Sequence, residues 1–96
     1  MLVLITYDVS TADEAGRKRL RRIAKKCVAH GQRVQNSVFE CLVDAAQYKK
    51  LKAELVQLMD KEKDSLRFYE LGNQYEKRIE HIGAHLSYEP EGTLIL

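Results

Sequence analysis

Apolar side chains fill both alternating faces of the first seven residues, with Val3, Ile5 and Tyr7 on one and Leu2, Leu4 and Thr6 on the other. That pattern predicts a central strand covered on both sides. It stops at Asp8, and Ser10-Thr11-Ala12-Asp13-Glu14 supplies helix-start signals, with Thr11 and Glu14 at capping-box spacing. Leu20, Ile23, Ala24, Cys27 and Val28 then recur at helical spacing, so a helix to about His30 lays this stripe on a core, with Gly31 as its stop. Arg33 to Val43 reads as extended, Phe39, Cys41 and Val43 facing one way and Val38 and Leu42 the other. Polar Asn36-Ser37 interrupts this segment, giving one kinked strand or two short ones. Asp44 with Gln47 opens a second helix whose apolar face is Tyr48, Leu51, Leu55, Leu58 and Met59, ending near Lys61. Ser65 to Leu71 is a further strand, broken by Gly72-Asn73, and Arg78 to Ile82 a weaker one ending at Gly83.

This order predicts an α+β ferredoxin-like sandwich, βαββαβ, in which two helices cover one face of an antiparallel sheet. The domain is expected over residues 1–85, followed by a tail, 86–96, whose Leu94-Ile95-Leu96 forms a short strand pairing at a subunit interface. A 96-residue chain buries only roughly two-thirds of its unfolded surface. Two helices leave the other sheet face bare although the first strand is apolar on both sides, so a homodimer is expected.

Net charge is +2, but its distribution changes the picture. Residues 17–33 hold eight cations, Arg17, Lys18, Arg19, Arg21, Arg22, Lys25, Lys26 and Arg33, and no acid lies between Glu14 and Glu40. A stripe of one sign on an otherwise acidic chain is what polyanion binders carry; a merely solvated helix face usually mixes both signs. The opening apolar run is too short for a signal-peptide core and no stretch is long enough to span a membrane. Cys27 and Cys41 match neither a redox pair nor a zinc spacing and sit in apolar patterns, so they read as buried thiols of a cytoplasmic protein.

Asp8 is the first candidate for chemistry, an acid where an apolar strand ends and a helix is about to begin. Its plainer reading is a turn cap assisted by Ser10. No second acid lies at chelating spacing, so one chain cannot build a two-metal site, whereas a symmetric dimer brings two copies of Asp8 together. Magnesium accepts such sparse ligation by keeping several waters, and a polarised water can attack phosphate. Tyr7 and Ser10 flank the acid as hydrogen-bond donors, or serve structure alone. His81 and His85 have a zinc spacing for a helix, but Gly83 argues against a helix there. Phosphate loops, Ser/His/Asp patterns and zinc-protease motifs are absent from the sequence.

Tyr7-Asp8 closing the first strand, Ser10, the arginine-rich first helix, and Arg33-Val34-Gln35-Asn36-Ser37-Val38-Phe39-Glu40 resemble CRISPR-associated protein family two, over essentially the whole chain. The R-x-Q-x-S-V-F-E block is the most specific part of the likeness. The resemblance implies a ferredoxin-like homodimer with a divalent metal, Mg²⁺ or Mn²⁺, held between two copies of Asp8. It implies nucleic-acid-binding positions at Arg17, Arg19, Arg33, Ser37 and Phe39, and the catalytic candidates are Asp8 with its flanking Tyr7 and Ser10. Two functions follow: a metal-dependent endonuclease on double-stranded DNA or single-stranded RNA in CRISPR adaptation, or a non-catalytic DNA-binding scaffold bridging the Cas integrase. A third, a metabolite-binding regulatory domain of the same fold, would leave the basic stripe unexplained.

Overall fold

β1 (Leu2–Asp8) lies inside a four-stranded sheet because both of its edges find partners: β3 (Val38–Leu42) on one side and β4 (Ser65–Gly72) on the other, both antiparallel. β2 (Gly31–Gln35) pairs antiparallel with β3, giving the order β2-β3-β1-β4. With α1 (Glu14–Val28) and α2 (Ala45–Leu58), the element order is the expected βαββαβ ferredoxin-like arrangement. The computed structural model describes residues 1–83. The expected strand Leu94–Leu96, the tail and His85 lie outside these residues.

The pleat decides which β1 side chains meet the helices. Val3, Ile5 and Tyr7 are buried beside Phe39 and Cys41 of β3, and onto them pack Leu20, Ile23, Ala24 and Cys27 of α1 and Tyr48, Leu51 and Leu55 of α2. Leu4 and Thr6 point to the other face, where they are half-buried. Cys27 and Cys41 are buried free thiols, as expected, and the Cys41 thiol donates to the Cys27 carbonyl at 3.4 Å. A hydrogen bond with Cys41, together with burial, pushes the Cys27 thiol well above its ordinary value.

Element ends are where the sequence reading needs correction. Asp44 and Gln47 form the expected capping box. In α1 it is Asp13, not Thr11, that caps, accepting from the Gly16 amide at 2.8 Å, because the chain turns helical only at Glu14. The helix ends at Val28 with Ala29 as its C-cap, and Gly31 begins β2. Gly31 is needed there for close approach: a Cβ would stand 1.8 Å from the Glu40 carbonyl oxygen of β3. Asn36-Ser37 is a hairpin turn between two short strands. Arg78–Ile82 forms no strand; a 3₁₀ turn, Tyr75–Lys77, precedes irregular chain. Within the described residues this segment pairs with no strand, although the outer edge of β4 is open, and Ile82 is 84% exposed, so it is held by neither a ladder nor the core.

The start of β4 is pinned by a buried carboxylate. Asp64, whose side chain has no exposed surface, accepts from Arg19 Nε at 2.8 Å and Nη2 at 3.1 Å, from the Asp60 amide at 2.9 Å, and from the Tyr7 hydroxyl. α1, β1 and the turn before β4 thus meet at one side chain. Burial pushes the Asp64 carboxyl up, but hydrogen bonds from Arg19, Tyr7 and the Asp60 amide, with the Arg19 charge, outweigh it and hold the group below the usual carboxylate range.

Two consequences can be measured. Gly31→Ala should lower unfolding free energy in urea by roughly 3 kcal/mol, since a backbone atom rather than a flexible side chain must give way. Because the folded-state pKa of Asp64 is depressed, the unfolded chain takes up this proton first as pH falls. The stability from ionised Asp64 is complete above its unfolded value of about 3.9 and lost as pH drops through the folded one. The melting temperatures of wild type and Asp64→Asn should therefore lie furthest apart near neutral pH and converge below about pH 4.

Candidate active site and nucleic-acid surface

The carboxyl end of β1 is where the predicted site residues gather. Asp8 is exposed, and strand alternation puts it on the face shared with Leu4 and Thr6, away from the helices. It stands opposite Ser65, the first residue of β4, as the last rung of that pairing. Among the described residues its carboxylate has no hydrogen-bond or ion-pair partner. Asp8 thus makes no side-chain cap of the turn that follows it, and the cap of α1 is Asp13.

The surrounding chain brings cations to this end of the sheet. The β2–β3 turn docks beside Asp8, the Ser37 carbonyl accepting the Tyr7 amide at 2.9 Å. Arg33 is exposed and anchored to that turn, donating from Nε to the Asn36 carbonyl at 2.7 Å and from Nη2 to Asn36 Oδ1 at 3.2 Å. Its guanidinium lies 5.7 Å from the Phe39 ring centroid. From the opposite side comes the loop to α1. Ser10 Oγ accepts from the Ala12 amide at 3.4 Å, and the Ser10 carbonyl occupies the space where a Cβ on Gly16 would stand. Arg17 braces this loop by donating to the Thr11 carbonyl at 3.0 Å and stays exposed, 3.9 Å from Glu14.

Three of the expected site residues lie elsewhere. Tyr7 is buried on the helix side, its hydroxyl turned to Asp64 rather than toward the face of Asp8. Burial first, then the hydrogen bond to Asp64, pushes its phenol far above the ordinary value. Phe39 has no exposed surface and packs in the core, with the Arg33 guanidinium over its ring. Arg19 is paired with Asp64, which also raises its pKa. Asp64 was legible in sequence only as part of a polar turn; no spacing rule links it to Tyr7, 57 positions away. Arg67 is a second residue that pattern did not single out. It faces Thr6 across the pairing, shares the open face with Asp8 and donates to the Tyr69 hydroxyl at 3.4 Å.

The outer surface of α1 is a separate electrostatic feature. Lys18, Arg21, Arg22 and Lys25 are exposed with no acid in ion-pair reach among the described residues, whereas Lys26 meets Glu54 at 2.7 Å. The apolar stripe of α1 faces the sheet, so these side chains point away from it, across the layer from the face that carries Asp8.

As for metal binding, an exposed, unpartnered carboxylate is a hard oxygen donor of the kind Mg²⁺ and Mn²⁺ take. Among the described residues no group of three or more His, Cys, Asp or Glu gathers, so the donor set of one chain is Asp8 alone and fits an ion that keeps most of its waters. No helix of the described residues is long and apolar enough to cross a membrane.

The family described as CRISPR associated protein Cas2 matches residues 1–79. A CRISPR-associated endoribonuclease Cas2 of Nitratidesulfovibrio vulgaris is 62% identical over 96 residues, covering 100% of this chain and 94% of that one. A CRISPR-associated endonuclease Cas2 of Halalkalibacterium halodurans is 61% identical over 95 residues, covering 99% of each. Among solved structures, Streptococcus pyogenes Cas2 at pH 6.5 superposes with a TM-score of 0.80 at 55% identity, over 86% of this chain and 100% of that one. Sequence and fold both place it there: the chain belongs to the CRISPR associated protein Cas2 family.

Proposed function

We propose that the protein is a divalent-metal-dependent endonuclease of CRISPR adaptation that hydrolyses phosphodiester bonds of double-stranded DNA or single-stranded RNA. The observation that carries this reading is Asp8: an exposed carboxylate without a partner among the described residues, between the loop held by Arg17 and the turn held by Arg33. The relatives' names, one endoribonuclease and one endonuclease, support nuclease chemistry and leave the nucleic acid open.

In this mechanism Asp8 would hold the cation. A bound Mg²⁺ or Mn²⁺ would supply charge neutralisation at the scissile phosphate and lower the pKa of an attacking water. Arg17 and Arg33, each tethered by one hydrogen-bonded edge to a backbone carbonyl, keep other N–H groups for phosphate oxygens. Their fixed placement reduces the entropy lost when the backbone docks. Ser10 and the Ser37 turn shape the walls of the site. Tyr7 takes no part in proton transfer at neutral pH, because its hydroxyl is committed to Asp64.

A symmetric homodimer would place a second Asp8 beside the first, which suits a metal offered one carboxylate per chain. The sheet face that carries Asp8 also presents Leu4, Val38, Leu42 and Tyr69, an apolar surface for such a partner. The alternative is a non-catalytic dimeric scaffold that grips duplex DNA for the Cas integrase. It is favoured by one observation: Lys18, Arg21, Arg22 and Lys25 form a phosphate-binding surface on the other side of the layer from Asp8.

Cleavage of double-stranded DNA and single-stranded RNA in Mg²⁺ or Mn²⁺ by wild type and Asp8→Ala separates the two. A nuclease loses at least about a hundredfold in rate with Asp8→Ala while retaining DNA affinity. Equal cleavage by both proteins, or none by either, selects the scaffold. Sedimentation equilibrium at micromolar concentration should return twice the chain mass, and a monomeric mass would remove the shared-metal arrangement.

A further inference from the structure

The cations of α1 stand in two chemical situations. Lys18, Arg21, Arg22 and Lys25 are exposed and have no acid in reach among the described residues. Arg19 commits Nε and Nη2 to the two oxygens of Asp64, and its side chain is 17% exposed. Arg33 spends the same edge on neutral groups of Asn36 and stays exposed, whereas Arg19 is largely buried and its charge is neutralised by a carboxylate, which leaves little to attract a phosphate. Asp64 in turn is saturated, accepting also from the Tyr7 hydroxyl and the Asp60 amide. The residues that follow Tyr7 and Asp64 in sequence are Asp8 and Ser65, the last rung of the β1–β4 pairing. Because the strands run antiparallel, Tyr7 and Asp64 flank that rung on its two sides, and their hydrogen bond braces it.

We infer that Asp64 is a positioning residue for Asp8, and that Arg19 acts on the reaction only through Asp64 and holds no phosphate. The inference takes Asp8 as the nuclease carboxylate. With the charge at Asp64 removed, Arg19 is left without its partner, and the turn before β4 loses the contact from the Asp60 amide to Asp64 Oδ2. The Tyr7 hydroxyl loses its acceptor as well. The rung carrying Asp8 is then free to shift, and a displacement near an ångström costs on the order of a hundredfold in rate.

The test uses Asp64→Asn, Arg19→Gln and their combination, with Tyr7→Phe as a milder variant that keeps the ring in the core. Leu55→Ala, a core change in α2 remote from Asp8, controls for lost stability. Rates are expressed per folded molecule from circular dichroism, and duplex affinity is measured against salt in metal-free buffer. Asp64→Asn and Arg19→Gln should each lose about tenfold or more in kcat with KM within about twofold, and the combination should be no worse than either alone. Tyr7→Phe should lose less, and Leu55→Ala should keep the wild-type kcat. Arg19→Gln should also keep the wild-type salt slope, whereas Arg22→Gln should flatten it by about 0.9, as loss of one phosphate contact does. A folded Asp64→Asn that cleaves at the wild-type rate, or an Arg19→Gln that flattens the salt slope, overturns the inference. If wild type itself does not cleave, the nuclease reading fails, and the salt slope of Arg19→Gln still decides whether that residue holds phosphate.

Discussion

A carboxylate with no exposed side-chain surface stays ionised only where hydrogen bonds and a countercharge replace the water it has lost. Asp64 meets that condition with a bidentate arginine, a phenol and a backbone amide, drawn from α1, β1 and its own turn. Each donor comes from a different element, so the ion can be satisfied only when all three are correctly placed. This couples the docking of α1 on the sheet to the alignment of β1 with β4. The rung that carries Asp8 follows directly from that alignment. Apolar burial by Val3, Ile5, Leu51 and Leu55 supplies the bulk of the driving force, but it is non-directional and tolerates small shifts. The ion cluster is what makes the sheet end geometrically particular.

The same arrangement separates two kinds of positive charge. Side chains on the outside of α1 remain exposed and create a field that acts over a Debye length, about 8 Å in physiological salt. Arg17 and Arg33 instead are each held by a backbone carbonyl, of Thr11 and Asn36, and so are fixed in place where the outer cations of α1 are not. Arg19 belongs to neither group, although it lies on the same helix and is chemically identical to its neighbours. Helix rotation accounts for this: Arg19 falls at the flank of the apolar stripe, close enough to the sheet to reach Asp64.

Much of the architecture was legible in the residues because two periodicities run cleanly through them. The twofold alternation of β1 and β3 and the helical spacing of Leu20, Ile23, Ala24 and Cys27 name the buried face correctly, while Val28, the last residue of the predicted stripe, is exposed at the end of α1. Asp44 and Gln47 marked a helix start because capping is local, confined to neighbouring backbone. Signals that depend on what lies across the fold were misread. Gly31 looked like a helix terminator, but its missing Cβ answers to the Glu40 carbonyl on another strand. The alternation of Arg78 to Ile82 suggested a strand, yet among the described residues this segment pairs with no strand although the outer edge of β4 is open, so the pattern alone did not secure a ladder.

The sequence by itself determined the order of elements, the composition of the core, the segregation of charge and the candidacy of Asp8, because each of these is carried by neighbours along the chain. Only the tertiary structure decided that Tyr7 faces Asp64 rather than the site, that Arg19 is neutralised while Arg22 is not, and that the Ser37 turn sits beside Asp8. These depend on residues tens of positions apart meeting in space. Which oxygen a donor finds there is set by strand register and helix packing, and neither is written in local spacing.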